Sequence, residues 1–175
     1  MKPFISRKKS ILKRLYPRMF APSAYDLDYE TLYEQGYRGI IFDIDNTLVG
    51  HDAPANDRAK ELMAKLKNIG FKLSIVSNNR EPRVKNFADA LGVSYVFKAA
   101  KPRKGGYIKA IEIMGTSLKT TLAIGDQLLT DIYGANRAGI FNIKVEQLYR
   151  EEPGNIVFKR YIERLIIFFY MHEKE

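Results

Sequence analysis

The sequence of 175 residues contains no cysteine and only two histidines, His51 and His172. Without cysteine the chain cannot form disulfides, use a thiolate nucleophile or build a cysteine-based zinc site. Two histidines are too few for a histidine-rich metal site, and a cysteine–histidine catalytic pair is excluded as well. Any catalysis must therefore rest largely on carboxylates, hydroxyl groups and lysines.

Long apolar runs are also missing. The longest, residues 165–171, has seven residues, whereas a membrane-spanning helix needs about 20. The basic N-terminus has neither a continuous apolar stretch nor a small-residue cleavage site, so a secretory signal is not expected. Together with the absence of cysteine, these features predict a cytoplasmic protein. The length and the hydrophobic fraction of 46% predict one globular domain.

Acids are absent from residues 1–20, whereas the remaining residues carry 22 cations against 20 acids. This first segment holds seven cations: Lys2, Arg7, Lys8, Lys9, Lys13, Arg14 and Arg18. Apolar residues such as Phe4 and Ile11 lie between them, a pattern typical of a basic amphipathic segment on an anionic membrane. A nucleic-acid contact is less favoured, because nothing else in the chain resembles a nucleic-acid-reading module. A solvated tail that packs on the body is the third interpretation.

From this asymmetry we predict a basic N-terminal extension over residues 1–24 and one domain over residues 25–175. Within the domain, short apolar segments alternate with helical patterns, which predicts an α/β fold with a five-stranded parallel sheet flanked by helices. The predicted strands are residues 39–43, 72–76, 93–97, 121–124 and 140–145. The predicted helices are residues 54–69, 81–91, 104–114, 128–138 and 155–172, the last one apolar towards its end.

Chemically apt side chains follow four of these strands. They are Asp43 and Asp45, then Ser77 and Asn78, then Lys101, and finally Asp126 and Asp131. Ligands of such sheets bind at the carboxyl edge of the strands, so these groups are expected to share one crevice. The hydroxyl and amide suit phosphate oxygens. Gathering four carboxylates is costly without a hard divalent cation, and oxygen ligands select Mg²⁺.

These residues match, in order and spacing, the four signatures of the haloacid dehalogenase (HAD) superfamily. The signatures are DxDxT at Asp43, Asp45 and Thr47, then Ser77, then Lys101, and GDxxxxD at Gly125, Asp126 and Asp131. The stretches IFDIDNTLVG, IVSNN, AAKP and GDQLLTDIYGANRAG resemble the YqeG-type group of subfamily IIIA. Relatives of that group include a mitochondrial phosphatidylglycerophosphate phosphatase. The resemblance covers most of the chain, from about Tyr16 into the last helix.

The resemblance implies a mechanism. Asp43 is expected to attack phosphorus and form an aspartyl-phosphate, while Asp45 protonates the leaving oxygen and later activates water. Thr47 is expected to position the substrate-binding loop. Ser77, Asn78 and Lys101 are the expected contacts of the phosphoryl oxygens. The expected Mg²⁺ ligands are the carboxylates of Asp43 and Asp126, the main-chain carbonyl of Asp45, and Asp131 directly or through water.

The spacing between the signatures leaves no room for a cap domain. Thr47 and Ser77 are 30 residues apart, and Ser77 and Lys101 are 24 apart. An uncovered site suits a bulky or surface-held substrate; the alternative is a homo-oligomer in which a neighbouring subunit covers the crevice.

We therefore predict a magnesium-dependent phosphomonoester hydrolase that acts on phosphatidylglycerophosphate or a similar headgroup, with peripheral membrane contact through residues 1–20 at the inner membrane surface. A phosphatase of a soluble phosphomonoester, such as a sugar phosphate, nucleotide or phosphoprotein, is the first alternative. A HAD-derived binding or assembly module with little turnover is the second.

Overall fold

The structure is a computed structural model, and it describes residues 13–149 and 154–172. In chain order its elements are β1 (Met19–Ala21), α1 (Tyr29–Glu34), β2 (Gly39–Phe42), α2 (Asp57–Ile69), β3 (Lys72–Val76), α3 (Glu81–Leu91), β4 (Ser94–Val96), α4 (Gly105–Met114), β5 (Thr121–Gly125), a π-helical turn (Leu128–Ile132), α5 (Tyr133–Ala138), β6 (Phe141–Val145) and α6 (Gly154–His172).

All six strands pair in parallel, in the order β1-β6-β5-β2-β3-β4. The central strands β2 and β5 are buried along their whole length, as expected of a parallel sheet with helices on both faces. From β2 the chain runs outward to β3 and β4, then returns to the other side of β2 to form β5. The strand order therefore reverses between β2 and β5, which is where ligands bind in such sheets.

The core lies on both faces of the sheet. On one face Ile40 and Phe42 of β2 pack with Phe87 of α3, and on the other Ile41 packs with Tyr107 of α4. Each large apolar side chain that is fully buried contributes about 1.5–3 kcal/mol to folding. This core holds β2 and β5 rigidly and thereby positions the residues that follow them.

The α/β fold with a parallel sheet and flanking helices is confirmed, but the predicted strand number was wrong. The sheet has a sixth strand, β1, which pairs with the edge strand β6. Its three residues lie in the predicted N-terminal extension, and Met19 and Phe20 are exposed, so no buried apolar run marked this strand. Helix α1 was also missed because it has only six residues. Residues 1–12 lie outside the described residues, and the division of the chain at residue 24 stays a prediction.

Two predicted helices differ from the observed ones. Helix α2 begins at Asp57 and not at Pro54, because the side chain of Asn56 accepts a hydrogen bond from the Ala59 N–H and caps the helix there (2.9 Å). The predicted helix 128–138 is a π-helical turn followed by α5. In that turn the Ile132 N–H donates to the Gln127 carbonyl, five residues earlier (3.2 Å), and this geometry is frequent at functional sites.

The last helix is present as α6, and none of the helices in the described part of the chain has the length and hydrophobicity of a membrane span. Residues 48–76 contain α2 and β3, and residues 78–100 contain α3 and β4. As predicted, neither interval carries an inserted cap domain.

Candidate active site

Three buried acids meet where the strand order reverses. Asp43 directly follows β2, Asp126 directly follows β5, and Asp131 lies in the π-helical turn. One carboxylate oxygen from each of the three lies within 4.8 Å of the others. We call these residues the acid trio. Because carboxylate oxygens are the ligands that hard divalent cations prefer, the acid trio could hold such a cation.

Lys101 joins two members of the acid trio. Its Nζ donates to Asp43 Oδ1 (2.6 Å) and to Asp131 Oδ1 (2.7 Å), and its side chain is 5% exposed. Asn78 fixes the Lys101 backbone from both sides. Its Oδ1 accepts the Lys101 N–H (2.7 Å), and its Nδ2 donates to the Lys101 carbonyl (3.1 Å). Asn78 therefore fixes the backbone from which the long Lys101 side chain extends.

Asp131 is held against the backbone of the preceding loop. Its Oδ2 accepts the Gln127 N–H (3.0 Å), and its carbonyl accepts from the Tyr107 hydroxyl (3.0 Å). A Cβ at Gly125 would lie only 2.5 Å from the Asp131 Cβ. The glycine is therefore required here because the acid packs directly on its backbone.

Both oxygens of Asp126 accept hydrogen bonds. Oδ1 accepts from the Thr47 hydroxyl (3.1 Å), and Oδ2 accepts from the Arg160 guanidinium of α6. Arg160 also donates to the main-chain carbonyl of Asp126 (3.0 Å). The loop after β2 and the last helix therefore both hold this acid in place.

The carboxylate of Asp45 lies outside the acid trio. Its Oδ2 accepts from Asn79 Nδ2 (2.7 Å), and its Oδ1 accepts from the Asp52 N–H (3.0 Å) and from Arg83 Nη2 (3.3 Å). The hydroxyl oxygen of the buried Ser77 accepts the Asn79 N–H (3.2 Å). Asp45 thus has its own set of hydrogen-bond donors, separate from the contacts of Asp43.

Burial shapes the charge of the acid trio. It raises the pKa of Asp43 to about 8; the Lys101 ammonium opposes this shift, and the neighbouring acids add to it. Burial and Asp131 raise the pKa of Asp126 to about 6, against the influence of Arg160. For Lys101, burial favours the neutral amine, but Asp131 and Asp43 outweigh it and its pKa lies well above the ordinary value.

The donor set fits a divalent cation. Lys101 is shared by two acids, and Arg160 is shared by Asp126 and the buried Glu163. Within the described part of the chain, the three acids of the trio and Glu163 thus share two contacting cations, Lys101 and Arg160. Concentrated negative charge of this kind is relieved by a bound metal ion, and oxygen-only ligands suit Mg²⁺ or a similar hard ion.

The structure thus brings Asp43, Asp126 and Asp131 together, with Lys101 bonded to Asp43 and Asp131 and with Thr47 bonded to Asp126. Asp45 and Ser77 lie beside them and are connected through Asn79. Asn78 turns its amide to the Lys101 backbone. The catalytic, substrate-binding and metal-binding roles that we assigned to these residues stay predictions, as does a metal contact of the Asp45 carbonyl.

Sequence reasoning missed three side chains with polar contacts to these acids, those of Arg83, Tyr107 and Arg160. Asn79, whose side chain contacts Asp45, belongs to the polar segment after β3 that the sequence marked as suited to phosphate oxygens. A signal existed for Arg83, because a cation in the first turn of a helix opposes the helix dipole and calls for a specific partner. Arg160 comes 34 residues after Asp126, on a helix that stands out only by its apolar end, so no local pattern marked it.

Comparison with known proteins agrees with this geometry. The family model of haloacid dehalogenase-like hydrolases matches residues 50–139. The probable phosphatase YqeG of Bacillus subtilis is 38% identical over 159 residues, which cover 90% of this chain and 92% of that protein. Phosphatidylglycerophosphate phosphatase 1, chloroplastic, of Chlamydomonas reinhardtii is 30% identical over 158 residues, 84% of this chain and 59% of the algal protein.

Among solved structures, the cobalt-bound deoxy-D-mannose-octulosonate 8-phosphate phosphatase YrbI of Haemophilus influenzae superposes with a TM-score of 0.51 at 14% identity, over 65% of this chain and 80% of that chain. At this identity the likeness shows the fold alone. The family match and the extensive identity to YqeG carry the assignment. The chain therefore belongs to the haloacid dehalogenase-like hydrolase family and is a phosphatase of that family.

Proposed function

We propose that this phosphatase hydrolyses phosphomonoesters with Mg²⁺ and through an aspartyl-phosphate on Asp43. The observation that carries the proposal is the contact of Lys101 with one oxygen of Asp43 at the centre of the acid trio (2.6 Å). This contact fixes the carboxylate and leaves its second oxygen as the nucleophile. Lys101 also provides a positive charge next to the position that the phosphoryl oxygens would occupy.

The reaction has two displacements. In the first, the free oxygen of Asp43 forms a bond to phosphorus while the bond to the leaving oxygen breaks, and Asp45 gives that oxygen a proton. In the second, a water molecule attacks phosphorus, Asp45 takes a proton from it, and the bond to Asp43 breaks to release phosphate. Asn79 and Arg83 donate to the Asp45 carboxylate, and this acid is proposed to make both proton transfers.

When the cation is bound, it neutralises negative charge on the phosphoryl oxygens. The residues that would hold it are the acid trio, with the main-chain carbonyl of Asp45 as a further ligand. Ser77 and Asn78 remain the proposed polar contacts on the substrate side, with Thr47 positioning the loop after β2. The buried hydroxyl of Ser77 lies at the end of β3.

We propose as the substrate a phosphomonoester on a lipid headgroup, with phosphatidylglycerophosphate as the named candidate. The algal relative is named for that activity, although the chain spans only 59% of its length. Within the described residues no inserted domain covers the acid trio. Exposed apolar side chains of α6, such as Leu165, Phe168 and Phe169, would suit a surface-bound substrate.

A substrate panel tests this proposal. Phosphate release is measured with Mg²⁺ from phosphatidylglycerophosphate in mixed micelles and from soluble sugar phosphates, nucleotides and a phosphopeptide. We expect the lipid to be preferred and Asp43→Asn to be inactive with every substrate. Preference for a soluble ester would contradict the lipid assignment, and failure of the wild type with every substrate would favour a binding or assembly module.

A further inference from the structure

Helix α6 carries a buried ion pair, Arg160 and Glu163, and Arg160 contacts the acid trio at Asp126. Arg160 contacts both the carboxylate and the main-chain carbonyl of Asp126. Glu163, one turn further along α6, accepts from Arg160 through Oε2 (3.1 Å) and from the Leu129 N–H through Oε1 (3.0 Å). A glutamate that is 3% exposed is rare in proteins unless it is paired. The contacts thus form a continuous chain from Asp126 through Arg160 and Glu163 to the π-helical turn.

The same face of α6 is anchored by apolar packing. Ile166 lies three residues after Glu163, is buried, and packs with Leu128 and Ile132 of the π-helical turn. Residues spaced by three along a helix lie on one face. Arg160, Glu163 and Ile166 therefore form a single strip that docks on the loop carrying Asp126 and on the turn carrying Asp131.

From this geometry we propose that Arg160 is a positioning residue for the metal site and that α6 is consequently part of the active site. A carboxylate offers about four acceptor positions, of which Arg160 and Thr47 occupy one on each oxygen of Asp126. Lone pairs remain on both oxygens for a cation. Arg160 therefore orients this ligand and neutralises part of its charge without taking the cation's place.

The forked guanidinium is needed for this role. It reaches the Asp126 carboxylate through Nη2 while Nη1 contacts the Asp126 carbonyl and Glu163. A lysine ammonium retains the charge but lacks the planar fork that holds several oxygens at once. Groups that orient a metal ligand typically change metal affinity or activity by about 10–100-fold when they are removed.

The experiment measures Mn²⁺ and Mg²⁺ binding by titration calorimetry in the wild type, Arg160→Met and Arg160→Lys, together with the melting temperature of each metal-free protein. We expect Arg160→Met to weaken metal binding about 10–100-fold and Arg160→Lys to lie between it and the wild type. The matched control is Arg164→Met, because Arg164 is exposed on the same helix. It should bind metal like the wild type.

A purely structural role would give a different pattern, with a lower melting temperature but unchanged metal affinity. Wild-type affinity in folded Arg160→Met, or in folded Arg160→Lys if the methionine variant does not fold, would overturn the inference. The inference rests on the proposed metal site, and the two can fail separately. If the wild type binds no divalent cation, the proposed metal site fails. If the wild type binds metal and the Arg160 variants bind it equally well, the proposed role of Arg160 fails and the metal site stands.

Discussion

Lys101 and the acid trio form a buried ionic cluster in which each member depends on the others. Lys101 bridges Asp43 and Asp131 with side chains that are at most 10% exposed. Removing one partner of a buried ion pair leaves an uncompensated charge and typically costs about 3–5 kcal/mol. These residues therefore contribute to stability as well as to the proposed chemistry, and variants of them need measurements that separate folding from activity.

A variant of Asp45 can separate effects on catalysis from effects on folding, because Asp45 lies outside the acid trio. We expect Asp45→Asn to lower turnover of an alkyl phosphate about 10²–10⁴-fold, which is the usual contribution of general acid–base catalysis. With p-nitrophenyl phosphate the leaving group needs no proton, so the first step is spared and phosphoenzyme accumulates. Rapid-quench kinetics with both substrates measures the two effects.

The control for Asp45→Asn is Asp89→Asn, which changes an exposed acid paired with Lys85 on α3. It should leave both rates unchanged. Wild-type turnover of the alkyl phosphate by a folded Asp45→Asn variant would refute the proton-transfer role.

The raised pKa of Asp43 predicts how stability depends on pH in the metal-free protein. Between its ordinary pKa of 3.8 and its folded value of about 8, the folded state retains a proton that the unfolded chain has lost. The folded state thus binds more protons, so the free energy of unfolding falls as pH rises through this window. Asp126, with a pKa of about 6, acts in the same direction over the lower part of the window. Urea denaturation with EDTA at about pH 5 and about pH 8 measures the change.

Two comparisons test whether Asp43 causes this pH dependence of stability. Asp43→Asn cannot lose the proton, so its stability should fall less between the two pH values. Because metal ligands must be deprotonated to bind, Mg²⁺ should stabilise the wild type more at the higher pH. A pH dependence that is the same in Asp43→Asn and the wild type would contradict this explanation.

At the scale of elements, the π-helical turn after β5 sets the position of Asp131. Gly125 makes this possible, because a Cβ there would meet the Asp131 side chain. We expect Gly125→Ala to displace Asp131 from Lys101, to lower Mg²⁺ affinity and turnover, and to lower the melting temperature of the metal-free protein. Calorimetry and thermal denaturation measure the two effects separately.

Gly105→Ala is the matched control, since an added Cβ at the start of α4 has nothing within 4 Å. That variant should bind Mg²⁺ like the wild type. Unchanged Mg²⁺ affinity in Gly125→Ala would show that Asp131 tolerates displacement and would contradict its proposed role as a metal ligand.

The elements that sequence predicted well are those with a complete physical pattern. Strands β2, β3 and β5 are short apolar runs with buried side chains, and α3 agrees at both ends with the predicted residues 81–91. Strand β1 is three residues long and two of them are exposed, so only its pairing with β6 defines it. The π-helical turn depends on tertiary contacts of Asp131, which no helical periodicity reveals.

The residues of the candidate site also divide into those that a local sequence pattern marks and those that depend on tertiary packing. Asp43, Lys101, Asp126 and Asp131 each follow a strand end or occupy a fixed spacing, so that sheet topology alone brings them together. Arg160 reaches Asp126 from a helix 34 residues later, and its position depends on how α6 docks. Local pattern therefore predicts the groups on the sheet edge but not the partners that packing supplies.

On the scale of the whole molecule, positive charge is concentrated at one end of the chain. All seven cations of residues 1–20 are unopposed by any acid in that segment, and each cation near an anionic surface contributes about 1 kcal/mol of attraction. We expect a variant with four glutamine substitutions to bind vesicles containing phosphatidylglycerol more weakly in co-sedimentation. The substituted residues are Lys2, Arg7, Lys8 and Lys9.

The control neutralises four exposed lysines of the body and so removes the same net charge. Those residues are Lys72, Lys104, Lys109 and Lys119. This variant should retain vesicle binding, because its lysines belong to residues 21–175, where 20 acids nearly balance 22 cations. Equal loss in both variants would indicate a general charge effect, and no loss in the first would contradict a membrane role of the N-terminal segment.

The most direct test of the mechanism is the phosphoenzyme itself. The enzyme is mixed with its best substrate and Mg²⁺, quenched in acid within the first turnover, digested and analysed by mass spectrometry. We predict a hydroxylamine-labile phosphate on the peptide that contains Asp43 and none in Asp43→Asn. With p-nitrophenyl phosphate as the substrate, Asp45→Asn should hold more of this phosphate than the wild type. Turnover by a folded Asp43→Asn variant, or a labile phosphate on a different residue, would contradict the assignment of Asp43 as the nucleophile.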